Sequence, residues 1–185
     1  RLFIGHSRYG YFTSSLLFSR IDVLNSVVSL SPFFTQKNVD LTDSIQTLKK
    51  ESLNSTKYYR FGIGNDYPSD FIKMDSVINL LSNSELDAKG FLFKEADHNV
   101  TPGLTIGISL YEIFENWSNI QAKYFSNDQK DLKMIDSFKE EITTNYGSSL
   151  EFSLGILNGK GWYFYNEKEY EKAIQAWRLL MKSYP

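Results

Sequence analysis

The residues in this sequence whose types suit covalent chemistry are a serine in a glycine-flanked turn and a histidine far downstream. The run Gly5-His6-Ser7-Arg8-Tyr9-Gly10 directly follows the apolar Leu2-Phe3-Ile4. A serine hydroxyl becomes a useful nucleophile only when it is held exposed beside a general base. A sharp strand-to-helix turn does this. Leu2-Phe3-Ile4 supplies the end of a buried strand, Gly5 permits tight packing, Ser7 takes the apex, and the apolar spacing from Tyr9 to Arg20 predicts a helix. The backbone NH of Arg8 then lies at the amino end of that helix, where partial positive charge favours a developing oxyanion. The common elbow pattern G-x-S-x-G has glycine where Tyr9 stands; here glycine comes one residue later, at Gly10.

Only two histidines are present. His6 adjoins Ser7 in the turn and is expected to point away from it, which leaves His98 as the imidazole available as general base. A carboxylate between serine and histidine in sequence would fix the imidazole tautomer and stabilise the imidazolium. Asp66 follows directly on a strand ending Gly62-Ile63-Gly64-Asn65 and is the first candidate. A turn role within Asn65-Asp66-Tyr67-Pro68 is its competing assignment. Asp70 is the second candidate, equally able to start a helix together with Ser69, while Asp97 adjoins His98, and adjacent side chains in an extended loop point apart.

Composition sets the outer limits. The 185 residues are 42% hydrophobic and 16% aromatic, ample for a packed core of one or two domains. A net charge of -2 with interspersed signs leaves no footprint for nucleic acid or an anionic lipid surface. No run of about 18 apolar residues exists to span a membrane. With no cysteine and two histidines, disulfides, thiolate metal sites and a histidine-rich metal cluster are excluded, and any redox compartment suits the chain.

Strands and helices alternate as far as residue 117. Asn25 to Leu30 reads as a buried strand closed by Ser31-Pro32, and Thr42 to Leu53 as a weak helix. Lys57 to Gly64 is the next strand, Asp70 to Leu81 an amphipathic helix, Gly90 to Glu95 a strand, and Ile106 to Trp117 a helix. Strands joined by crossover helices imply an α/β fold with a parallel sheet covered on both faces, whose ligands bind beyond the carboxyl ends of the strands. Ser7, Asp66 and His98 all fall just after predicted strands, so one sheet edge should collect them.

The sequence Gly5-His6-Ser7, the run Val27-Val28-Ser29-Leu30-Ser31-Pro32, and Asp97-His98-Asn99-Val100-Thr101-Pro102-Gly103-Leu104 with Tyr111-Glu112-Ile113-Phe114 together resemble the esterase D and enterochelin-esterase group of the α/β-hydrolase superfamily. The resemblance covers residues 1 to 117, particularly its siderophore-esterase-like bacterial branch. It implies a nucleophilic Ser7 and a basic His98, with Asp66 as the acid. It further implies hydrolysis of a small carboxylic ester without metal or organic cofactor. A chain that opens inside a strand is read as a hydrolase whose early strands, and with them the second oxyanion donor, lie upstream. Weak activity of the 185 residues alone and an unpaired sheet edge inviting self-association are the corresponding expectations.

Residues 118–147, rich in Asp, Asn, Lys and Gln, read as a connection containing a helix from Asp131 to Thr143. In 148–185, Leu157, Gly161, Phe164, Tyr170, Ala173, Trp177, Leu180 and Pro185 fall at the spacings of a tetratricopeptide repeat. Two antiparallel helices are expected, turning at Asn166-Glu167-Lys168, with Gly161 and Ala173 allowing close approach and Tyr170 and Trp177 filling the groove. One repeat cannot bury its own faces. It is expected to cover the preceding domain or to meet a protein partner or a second copy. A degenerate hydrolase core used as an interaction platform is therefore the alternative to an esterase.

Overall fold

The computed structural model describes residues 1–47, 55–81 and 85–185. The chain divides into two compact units, Arg1–Ile113 and Phe114–Pro185.

The first unit is built on a parallel sheet of four strands in the order β1 (Leu2–His6), β2 (Ser26–Leu30), β5 (Lys57–Ile63) and β6 (Leu86–Leu92). Every residue of β2 and β5 is buried, as parallel strands covered on both faces require. Successive residues of β5 serve opposite faces. Tyr59 and Phe61 join the apolar core with Leu17 and Phe18 of α1 (Arg8–Ser19), Ile45 of α2 (Leu41–Thr47) and Met74 and Ile78 of α3 (Pro68–Asn79). Arg60 and Gly62 turn instead toward α4 (Thr101–Phe125), where Arg60 Nε donates to Glu112 Oε2 at 3.1 Å and a Cβ on Gly62 would collide with Thr105. Arg60, buried as a charge, also donates to Asp87 Oδ2 at 2.9 Å and to the Asp87 carbonyl at 2.7 Å. Its pairing with two carboxylates and two carbonyls, those of Asp87 and Tyr59, is what makes burial of that guanidinium tolerable.

Four elements differ from expectation. Strand β6 starts at Leu86 and ends at Leu92, earlier than the predicted Gly90 to Glu95, because it is an edge strand whose alternating exposure admits Asp87 and Lys89. Helix α4 begins at Thr101 rather than Ile106, since Pro102 is accommodated in a first turn where its missing NH costs nothing. A small antiparallel pair, β3 (Thr35–Gln36) and β4 (Val39–Asp40), closes over Lys37 and Asn38 at φ 46° and 66°. Strands of two residues leave no periodic signal. Of the helix predicted over Thr42 to Leu53, residues 48–53 lie outside the described residues.

The second unit holds the end of α4, then α5 (Met134–Tyr146), α6 (Leu154–Asn166) and α7 (Tyr170–Ser183). Helix α5 buries Ile135, Phe138, Ile142 and Tyr146 along one stripe and stops at Gly147, whose φ of 60° gives the left-handed end that glycine adopts freely. Helices α6 and α7 meet where a Cβ on Gly161 would lie 2.4 Å from Trp177 Nε1, and Ala173 is buried in the same interface. Trp177 fills the space beside Gly161. Tyr170, expected in the groove, is 54% exposed and packs on Tyr165 instead. The Lys160 ammonium is fully buried, donating to the carbonyls of Ser126 (2.9 Å) and Gln129 and lying over the rings of Tyr124, Tyr163 and Phe164.

Candidate active site

The turn between β1 and α1 is held by contacts that place a half-buried Ser7 at its apex. Ser7 has φ 58° and ψ -118°, a conformation costly for any residue but glycine, and strain of that kind gathers at functional turns. The Ser7 NH donates to the Leu30 carbonyl at 2.8 Å, and the Ser7 carbonyl accepts the NH of Tyr11 at 3.0 Å to close the first turn of α1. Ser7 stands at the N-cap position, where a serine ordinarily bonds the helix amides, yet its side chain caps nothing. Among the described residues its hydroxyl has no hydrogen bond, so it is available for chemistry.

The glycines explain how Tyr9 is tolerated. A Cβ on Gly5 would lie 2.2 Å from the Tyr9 carbonyl oxygen, and one on Gly10 would press on the Gly5 carbonyl and on Pro32 at 3.1 Å each. The close approaches therefore fall at positions 5 and 10. The Tyr9 side chain is 73% exposed and needs no space inside the turn. Beneath Gly10, the hydroxyls of Thr13, Ser14 and Ser29 converge on its carbonyl at 3.1, 2.9 and 3.1 Å, and Tyr59 OH meets Ser14 Oγ at 2.9 Å. Burial pushes the Tyr59 phenol well above its usual range, keeping it a neutral hydrogen-bonding group.

At the same sheet edge, the loops after β5 and β6 bring Asp66 and His98 together. His98 Nδ1 donates to Asp66 Oδ2 at 2.5 Å. A proton on Nδ1 leaves Nε2 of the neutral ring as the basic nitrogen. Asp66 Oδ1 is buried and takes no protein donor among the described residues, so the carboxylate is committed to His98. The other two acids are engaged elsewhere. Asp70 Oδ1 accepts the NH of Phe34 at 2.9 Å. Asp97 Oδ1 accepts the NH groups of Val100 (2.9 Å) and Asn99 (2.8 Å), which hold its carboxyl below the usual carboxylate range and shape the loop that carries His98.

Three neighbours of His98 were not expected from the sequence. The His6 ring lies 4.7 Å from the His98 ring, centroid to centroid, and His6 Nε2 donates to the His98 carbonyl at 3.2 Å. Ser31, at φ 43° just beyond β2, donates its hydroxyl to the same carbonyl at 3.3 Å. Tyr67 stands edge-on to His98 at 6.1 Å. The only sequence signal for these partners is position, since His6 and Ser31 each close a strand whose carboxyl end faces the site. Among the described residues, no group of three or more His, Cys, Asp or Glu is arranged to hold a metal ion, and no helix is long and apolar enough to cross a membrane.

Comparison with known proteins reveals a likeness of fold. No protein-family model matches the chain, and no curated protein matches it by sequence. Among solved structures, the chain is similar to an IroE-like serine hydrolase from Shewanella oneidensis, with a TM-score of 0.66 and 12% identity, covering 100% of this chain and 59% of that one. It is also similar to an uncharacterised protein from Capnocytophaga ochracea, with a TM-score of 0.59 and 12% identity, over 96% of this chain and 51% of the other. The chain thus spans between half and three-fifths of the length of these structures. The α/β fold of this chain, with its parallel four-stranded sheet, is thus similar to that of the hydrolase.

Proposed function

We propose that the protein is a serine hydrolase of carboxylic esters, with Ser7 as nucleophile, His98 as general base and Asp66 as the acid that orients it. One observation carries this reading: at the carboxyl edge of a parallel sheet, a strained and uncapped Ser7 shares its locality with a histidine whose Nδ1 is bound to a partly buried carboxylate. Ser7 Oγ attacks the ester carbonyl while its proton passes to His98 Nε2. The oxyanion faces the NH of Arg8, the first amide of α1. Collapse of the tetrahedral adduct breaks the bond to the alcohol, which takes the proton from His98, and water repeats the sequence on the acyl-enzyme. Each oxyanion donor contributes about 10²- to 10³-fold in such reactions. The test is hydrolysis of short p-nitrophenyl esters by the wild type and by Ser7→Ala and His98→Ala. Turnover abolished by either substitution is expected; turnover unchanged in Ser7→Ala would overturn the reading.

A second reading concerns α6 and α7. The spacing of Gly161, Ala173 and Trp177 is that of a tetratricopeptide hairpin, and Trp162, Tyr165 and Tyr170 leave about half of their surfaces exposed beside it. An interaction role for this hairpin, binding a protein partner or a second copy, is compatible with catalysis by Ser7 and is checked by Trp162→Ser. A mass by light scattering that falls in the variant would support self-association.

A further inference from the structure

We infer that His6 is a positioning residue, clamping the loop that bears His98 through its main-chain carbonyl. The inference rests on the esterase reading of the site but is tested apart from it. His98 sits in a turn between β6 and α4, and a general base mounted on a turn must hold its ring between nucleophile and carboxylate while its charge changes. Asp66 fixes one side of the ring through Nδ1. That bond leaves the ring free to swing with its own backbone.

The backbone is fixed from the opposite side. The His98 carbonyl receives two side-chain donors, His6 Nε2 at 3.2 Å and Ser31 Oγ at 3.3 Å. They come from the ends of β1 and β2, which pair with His6 opposite Leu30, directly before Ser31. The donors are therefore mounted on the sheet. Because a carbonyl only accepts, His6 must carry its proton on Nε2 to make this bond. His6 is also the residue immediately before Ser7. One side chain thus ties the strand that presents the nucleophile to the loop that presents the base. His6 is itself exposed, so burial of apolar surface does not account for its place in the turn.

His6→Gln and His6→Leu separate the clamp from packing. Glutamine keeps a donor at comparable reach; leucine keeps bulk against the His98 ring and donates nothing. We expect His6→Gln to hold the wild-type kcat within a few-fold, and His6→Leu to lower kcat ten- to a hundred-fold, the scale of an ångström-level misplacement of a catalytic group, with KM and melting temperature unchanged. Ser31→Ala combined with His6→Leu should cost more than the two losses added, because in each single variant the remaining donor restrains the carbonyl in part. A second readout needs no turnover: the downfield ¹H NMR resonance of the His98 Nδ1 proton should stay sharp in wild type and His6→Gln and broaden in His6→Leu. Equal kcat and equally sharp resonances in the two variants would overturn the clamp while leaving the esterase reading intact. A wild type without Ser7-dependent turnover whose resonance still depends on the His6 donor would retain the clamp and remove the esterase reading.

Discussion

A Cβ placed on Gly64 would lie 2.2 Å from the carbonyl oxygen of Ala96 and 2.4 Å from Thr101 Oγ1. At that crossing the chain carrying Asp66 passes against the chain carrying His98, and the NH of Asn65 bonds the Ala96 carbonyl at 2.8 Å. The distance between acid and base is thus set two residues away from each, by the absence of a side chain. Gly64→Ala forces the two loops apart. A destabilisation of about 1–3 kcal/mol, the usual cost of overpacking, should appear in urea unfolding, together with loss of the sharp Nδ1 resonance of His98.

Ser7 occupies a backbone conformation suited to glycine, so its hydroxyl is kept at a cost in stability. Ser7→Gly should raise the urea midpoint, with a gain of up to about 1 kcal/mol once the greater unfolded-state freedom of glycine is offset against the relief of strain. The same change removes the nucleophile. A variant that is more stable and inert is the expected outcome; a less stable Ser7→Gly would show that the turn is not strained.

Asp66 and Asp70 are distinguished by what they bind. Asp66→Asn should lower kcat about 10³- to 10⁴-fold, as substitution of a triad carboxylate does, because an amide can present its NH₂ to Nδ1 and stabilise the wrong tautomer. Asp70→Asn weakens only the bond to the Phe34 NH and should leave kcat within a few-fold. Steady-state kinetics on the two variants decide between them, and the reverse order would reassign the acid.

Acid stability has a traceable source at Asp40. Burial pushes its carboxyl up, but the Lys73 ammonium and the hydroxyl and NH of Thr42 outweigh burial and bring it down to about 2. A depressed carboxyl contributes stability that is present above its unfolded value of about 3.9 and is lost as pH falls through the folded value. Between pH 5 and pH 2 the urea midpoint of the wild type should fall, and Asp40→Asn should flatten that part of the profile while lowering the midpoint at pH 5.

The sequence reveals which residues stand at the strand ends better than it reveals the edges of the fold. Strand β5 is legible because it is buried on both faces and reads as an aromatic run, Tyr58-Tyr59-Arg60-Phe61, closed by glycine. Strand β6 hides its first half because an edge strand admits Asp87 and Lys89, whose polarity reads as loop. The positions of Ser7, Asp66 and His98 at strand ends follow from topology alone. The His6 and Ser31 donors do not, since they converge on the His98 main-chain carbonyl from two other segments distant in sequence. Nor does sequence spacing reveal that Asp70 binds the Phe34 NH while Asp66 binds His98.

The most direct test of the central claim is covalent capture. The protein is incubated with a fluorophosphonate, its intact mass is measured, and the modified peptide is mapped for wild type, Ser7→Ala and Asp66→Asn. The account predicts one phosphonyl adduct on Ser7, absent in Ser7→Ala and formed far more slowly in Asp66→Asn. An unmodified folded wild type, or an adduct on another residue at the same rate in all three proteins, would contradict it.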